Sequence, residues 1–326
     1  MAENLNSWGA LVRGTGPAFM EFFSQNDMNA VNPWSPVITT KKGNDLVSNF
    51  SGKTGAGYLT RTADGSAVSS ANRYKLYNTA ITQEPYSSRL EITRQTLLYT
   101  DGGDLDASGD LIKSVKVTLV KAGAQIFNRA FTSGTGVTAG IRVTPYGDGV
   151  PLCSTVHPRA DGGATQSNAS STGIPLTEAN VETGRIALLN QLEDDGIAMV
   201  APSKIFVVVG INNSKTAQII TKSDQRSATG NNDINIYGGG YMDVVESSYL
   251  DSGISASGVG SNTQWFLVAP DRSKLCIVIS KGPDLEFNKD IDTKSGLFDV
   301  LIDLGVGFYS WHGVYGSQGA NAAYSS

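Results

Sequence analysis

Apolar positions along this chain change period several times, and each change marks an element. Leu111, Ile112, Val115, Leu119, Ala122, Ile126 and Ala130 recur three and four residues apart, the spacing of one helix face. They predict a helix from about Asp110 to Thr132, about 35 Å long at about 1.5 Å per residue. Val115, Val117 and Val120 weaken its propensity slightly, but the period outweighs them. Ser108 or Asp110 suits the start, and Gly134 the end. A second helix is predicted over Leu176–Leu192, with Thr177 as N-cap, Glu178 in the first turn, and Val181, Leu188, Leu189 and Leu192 on the apolar face. Asn213–Lys222 reads as a third. A short helix is expected over Pro17–Gln25, with Pro17 near its first turn.

Other segments alternate with period two or run continuously apolar. Tyr74–Thr79 and Arg89–Thr93 alternate, and Lys204–Val209 is an apolar run between Pro202 and Gly210. After Ile234 the chain reads mostly as strand, at Trp265–Val268, Leu275–Ile279, Leu297–Val306 and Phe308–Tyr315. Gly52, Gly55, Gly57 and Gly65 punctuate Ser48–Ser70, and Asp64-Gly65 reads as a hairpin turn. A two-stranded excursion of this kind cannot build its own core and must lie on something. Residues 1–35 carry Trp8, Phe19, Met20, Phe22, Phe23 and Trp34 without a clean period. Such an arm is expected to bury its aromatics elsewhere or on a neighbour. Residues 159–175 form a polar loop. The elements define an α+β chain.

Composition narrows the function more than the fold. The 326 residues allow a sizeable core, and 37 glycines indicate many turns and close approaches. The net charge of −5, with no Lys/Arg block, argues against tight DNA binding, which needs a basic face. Cys153 and Cys276 are far apart and suggest no disulfide framework. No basic n-region with an apolar run is read at the start, and no apolar stretch approaches a membrane span. The expectation is a soluble protein.

Candidate chemistry is sparse. Ser51-Gly52-Lys53-Thr54 resembles the end of a phosphate-binding loop, but Val47 stands where its first glycine is needed and no helix follows. Asp104–Gly109 copies half a calcium loop, but the twelfth position is Val115 instead of a glutamate. Asn168-Ala169-Ser170 matches a glycosylation acceptor that only a secreted chain would use. Cys153 and His157 could be a nucleophile and base, or half of a metal site. A structural zinc needs four ligands, and His312 and Cys276 are the remaining His and Cys. The bland reading, a buried structural turn stiffened by Pro151 and Pro158, is preferred. No catalytic, cofactor or metal residues are assigned.

Asp148-Gly149-Val150-Pro151-Leu152-Cys153-Ser154-Thr155-Val156-His157-Pro158, following the long helix, resembles a segment of the Mu-like head subunits of tailed phages. Cys153 departs from the aromatic residue common there. Asp243–Ser247 to Leu250, Trp265–Val268, Gly282–Leu285 and the Gly-punctuated Leu304–Gly316 resemble later runs of the same family in order and spacing. The chain is identified by this resemblance as similar to tailed-phage major capsid proteins with the Hong Kong 97-type fold. The resemblance implies an N-terminal arm (1–35), an extended loop (36–100), a peripheral domain with a long spine helix (101–200), an axial domain (201–282) and a return to the peripheral domain (283–326). It implies a structural, non-enzymatic subunit that self-assembles into pentamers and hexamers of an icosahedral virion head, built in the host cytoplasm around double-stranded DNA. The expected partners are copies of itself, portal, scaffold or decoration proteins, and packaged DNA by weak non-specific contact. Some relatives cross-link subunits through a loop lysine. Lys53 and Lys75 lie in that region, but no partner residue matches. The alternatives are an encapsulin-like compartment shell, or a hydrolase using Cys153 and His157.

Overall fold

The computed structural model describes residues 8–25, 31–55, 57–68, 70, 72–99, 107–224, 234–250 and 261–319. In chain order its elements are α1 (Trp8–Gln25), β1 (Thr39–Lys42), β2 (Val47–Phe50), β3 (Thr79–Thr82), β4 (Glu84–Ile92), α2 (Arg94–Tyr99) and α3 (Ala107–Asn128). There follow β5 (Gly136–Thr138), β6 (Ile141–Thr144), α4 (Glu178–Leu189), β7 (Ile205–Val209), α5 (Ile211–Lys222) and β8 (Met242–Glu246). The chain closes with β9 (Trp265–Val268), β10 (Leu275–Lys289), β11 (Gly296–Phe308) and β12 (Val314–Ser317).

The period-3.6 stripe forms α3, the spine of the molecule. Leu111, Val115, Leu119, Ala122 and Ile126 are all buried, while Lys113, Lys116 and Val117 stay exposed. The helix starts earlier than its pattern suggested, so Asp110 sits inside the first turn, where a carboxylate opposes the positive end of the helix dipole. It also ends earlier, and Gly134 takes its positive φ of 77° in the turn leading to β5 instead of capping the helix. Val115, at the twelfth position of the calcium-loop pattern, is core. Asp104 and Asp106 of that pattern lie outside the described residues.

The spine packs on a six-stranded sheet ordered β1-β10-β11-β6-β5, with β4 also paired to β11. Alternation in β11 buries Phe298, Val300, Ile302 and Leu304 toward the spine and leaves Asp299, Leu301 and Asp303 on the other face. Arg89 of β4 sits opposite Asp299 and pairs with it at 2.6 Å. β10 continues past Ile279 to Lys289, because register shifts between Ile279 and Asp284 absorb the Gly282-Pro283 interruption. β11 ends at Phe308. A turn around Gly313 then replaces the single strand expected over Phe308–Tyr315, and β12 joins a different sheet.

That second sheet is ordered β12-β9-β7-β8. One face carries Ile205, Val207, Val209, Trp265 and Leu267 and packs under Val181 and Leu188 of α4 and Ala217 and Ile220 of α5. Its other face sends Val208, Phe266, Val268 and Val314 into the spine-helix core. α4 begins where predicted, with the Thr177 hydroxyl accepting from the Asn180 N–H at 3.3 Å.

The N-terminal segment buries two of its aromatics on the body of the chain. α1 is longer than predicted, and Pro17 lies well inside it. Phe19 and Trp34 are buried on the chain's own spine helix. The Trp34 indole N–H donates to the Val120 carbonyl at 2.8 Å, and its ring covers Gly123 so closely that a Cβ there would sit 2.2 Å from it. The side chain of Trp8 lies outside the described residues.

Between β2 and β3 the chain leaves the body as a long antiparallel excursion. Its stem is the Val47–Phe50/Thr79–Thr82 pair, extended by Leu76 N–H to Gly52 O, the Lys53–Lys75 bridge, and Thr54 N–H to Tyr74 O. Asp64-Gly65 makes the predicted turn, with Gly65 at φ 75° and Ser66 N–H bonded to Ala63 O. Lys53 is therefore in extended backbone with no helix behind it, which removes the phosphate-loop reading.

Candidate functional site: a sealed polar cluster and an exposed excursion

The Asp148–Pro158 segment crosses the junction of the two sheets. Gly149 turns the chain at φ 84°, and the Cys153 N–H bonds the Ala130 carbonyl at the end of the spine helix. His157 pairs through its backbone with Gln166, in both directions. This places the imidazole in the interior, flat against Trp311 at 4.2 Å between ring centres.

Both ring nitrogens of His157 face oxygens. Nδ1 lies 2.9 Å from the Asp148 carboxylate and Nε2 lies 3.1 Å from the Asn168 side-chain oxygen. That oxygen is fixed as an acceptor, because the Ser154 N–H donates to it at 2.8 Å while the Asn168 amide donates to the Leu152 carbonyl at 2.7 Å. Nε2 therefore donates to the Asn168 oxygen, and Nδ1 faces the Asp148 carboxylate. The side chains of the pair are 1% and 0% exposed, so neither is offered to a substrate.

His312 continues the stack on the other side of the chain turn, 4.1 Å from Trp311. Its Nε2 donates to the Leu192 carbonyl at 3.0 Å and its Nδ1 meets the Ser310 hydroxyl at 2.7 Å, which suits a neutral ring. Burial first, and then the charge of His157, hold its pKa down at about 4. Asp194 is driven the opposite way, to about 6, by burial and by the nearby carboxylates of Asp148, Asp161 and Asp195. Gln166 bonds both backbone groups of Leu192, and Gln191 bonds the backbone of Gly313 and Val314. These contacts tie the end of the spine helix, the loop after α4 and the β11–β12 turn into one cluster.

Cys153 does not join His157. Its sulfur packs where a Cβ on Gly316 would come within 2.5 Å, beside Phe266, and burial pushes the thiol pKa upward. The thiolate that nucleophilic chemistry requires is therefore disfavoured. Cys276 lies under a separate cluster with Ile81 and Val278. Among the described residues no group of three or more His, Cys, Asp or Glu side chains is arranged to hold a metal. Sequence reasoning missed Asn168 as the partner of His157. It stands inside the glycosylation pattern yet is fully buried. Asp148 was within the quoted segment but without a role, and Trp311 had none.

The other candidate feature is outside. Every described residue from 57 to 68 is exposed, and Tyr58 (70%), Leu59 (103%) and Val68 (82%) are apolar side chains in water. Its stem is clasped to the body. Phe50 stacks on Tyr309 at 4.6 Å, and the Lys41 ammonium lies over both rings and bonds the Tyr309 hydroxyl at 2.7 Å.

Two interlocked sheets surround the spine, a polar cluster is sealed between them, and a hairpin with exposed apolar side chains extends from them. The family described as phage capsid protein matches over residues 77–317, and the chain belongs to that family. It is a structural component of a virion shell. A solved structure from Mycobacterium phage Patience is similar to it over 98% of this chain and 90% of that one, with 15% identity and a TM-score of 0.53. Another, titled as the capsid of an empty GTA particle computed with C5 symmetry, is similar over 89% and 90%, with 10% identity and a TM-score of 0.52. At these identities the likeness is one of fold, and it is the α+β capsid fold. A search of curated proteins found no match. Among the described residues no helix is long and apolar enough to cross a membrane.

Proposed function

We propose that this chain self-assembles into the pentamers and hexamers of an icosahedral phage head that encloses double-stranded DNA, assembled in the host cytoplasm. Portal, scaffold or decoration proteins are its further partners, and contact with DNA is weak and non-specific, in keeping with the net charge of −5. In this reading the excursion is the extended loop, the spine and six-stranded sheet form the peripheral domain, and the β12-β9-β7-β8 sheet with α4 and α5 forms the axial domain. The Asp148–His157 cluster is a structural tie between them, with no catalytic, cofactor or metal role.

The observation that carries the reading is the excursion. Ordering each of its residues costs about 1–2 kcal/mol of backbone entropy, and its exposed apolar side chains gain nothing in water. A neighbouring subunit that covers Tyr58, Leu59 and Val68 supplies the offset. The test is limited trypsin digestion, with Lys53, Arg61 and Arg73 as reporter sites. Rapid cleavage is expected in dissociated subunits and strong protection in particles. Equal rates in both states would remove the loop from the intersubunit contact. The family match favours a phage head over an encapsulin-like compartment.

A further inference from the structure

The β12-β9-β7-β8 sheet has two unlike sides. Along β8, helix α5 buries Ala217, Ile220 and Thr221 and turns Ile211, Lys215, Ile219 and Lys222 outward, at the spacing of one helix face. This stripe and Glu246 at the end of β8 line an open groove of about 660 Å³. Both charges on α5 are positive, and Ile211 and Ile219 are 56% and 42% exposed. Along β12, the loop after α4 is held rigidly. The Arg272 guanidinium donates to the carbonyls of Leu188 and Val200, and Leu192 accepts from His312. The rigid loop projects Glu193, Asp195 and Val200, the last 88% exposed, with the Asp271 carboxylate beside it. Its outward charges from Glu193 to Ser203 are all acidic.

We infer that these two sides are the halves of one contact between copies of this chain: the Glu193–Val200 loop of one copy seats in the α5 groove of the next. This rests on the reading of the protein as a shell subunit. Sign and character match on both sides. Lysines meet carboxylates, and exposed isoleucines meet an exposed valine on a preorganised loop. A contact between two different edges of the same unit is heterologous, so it repeats head to tail and closes a ring when its rotation closes. Opposite charges set the direction of travel round the ring, because groove against groove or loop against loop brings like charges together.

Charge exchange tests this. Three variants are compared with the parent: Lys215→Glu/Lys222→Glu, Glu193→Lys/Val200→Lys, and the fourfold combination in one chain. All changed side chains are exposed, and circular dichroism melting confirms that each variant folds. Sedimentation and electron microscopy then score capsomers and particles. Each two-site variant is expected to lose them and the fourfold variant to regain them, because lysines on its loop again face carboxylates in its groove. Two-site variants that assemble like the parent, or a fourfold variant that stays dissociated, would overturn the contact while the parent's particles leave the shell reading intact. A parent that never assembles would instead count against the shell reading itself.

Discussion

His157 and Asp148 form a buried polar pair out of reach of water, so the cost of breaking it falls on whichever partner remains. His157→Ala leaves a buried carboxylate without its ring partner and removes one of the two groups that face the Asn168 oxygen. It is expected to cost about 3–5 kcal/mol of folding stability, read as a lowered denaturant midpoint. Cys153→Ala deletes only a packed sulfur and should cost clearly less. Elemental analysis should find no stoichiometric zinc in either protein. A His157→Ala chain as stable as its parent, or one zinc per chain lost with Cys153, would contradict the structural role. The same cluster sets opposed pH effects. His312 has its folded pKa depressed to about 4, so its contribution is present above the unfolded value near 6.5 and is lost as pH falls through 4. Asp194 has its folded pKa raised to about 6, so its contribution is present below the unfolded value near 3.8 and is lost as pH rises through 6. Between pH 4 and 6 the two offset each other. Asp194→Asn removes one of them, and urea unfolding across pH 4–7 should then show stability falling more steeply with acid than in the parent. An unchanged slope would show that Asp194 is not the compensating group.

At the scale of elements, the spine helix and the excursion stem make the strongest demands. Leu119 is fully buried, and Leu119→Ala should cost about 2–5 kcal/mol. Leu119→Asp buries an unpaired charge and should abolish soluble protein. Normal yield from Leu119→Asp would mean that this face is not core. The Lys41–Phe50–Tyr309 clasp sets the direction in which the excursion leaves the body. Phe50→Ala should raise amide exchange across 47–82 while the spine helix keeps its protection. Unchanged exchange there would show that β2–β3 pairing alone holds the stem. These elements also show what the sequence made legible. The spine and α4 were readable because each carries a helical period, and β7 and β9 because each is a short, continuous apolar run. The second half of β10 was not, because Lys281, Asp284 and Glu286 lie on an open sheet face and Gly282-Pro283 mimics a break. The seat of Trp34 was not either, since it depends on the small Gly123 meeting a ring 89 residues away in the chain. For the cluster, the segment announced itself by its residue types. The partners that decide its chemistry are Asn168, 11 residues from His157, and Trp311, and no spacing rule joins them.

For the whole molecule, surface placement matters more than core chemistry. The His157–Asp148 cluster is sealed at the junction of two sheets, while apolar side chains of the excursion and along α5 lie in water. Exposed apolar side chains on projecting surfaces gain stability when neighbours cover them, which makes that part of the stability depend on subunit concentration. The central claim is therefore assembly. Electron microscopy of the purified, overexpressed chain, with sedimentation over a range of concentration and salt, tests it most directly. The account predicts closed shells or isolated rings of subunits that accumulate as concentration rises. A stable monomer under every condition, including co-expression with head-assembly proteins, would contradict it.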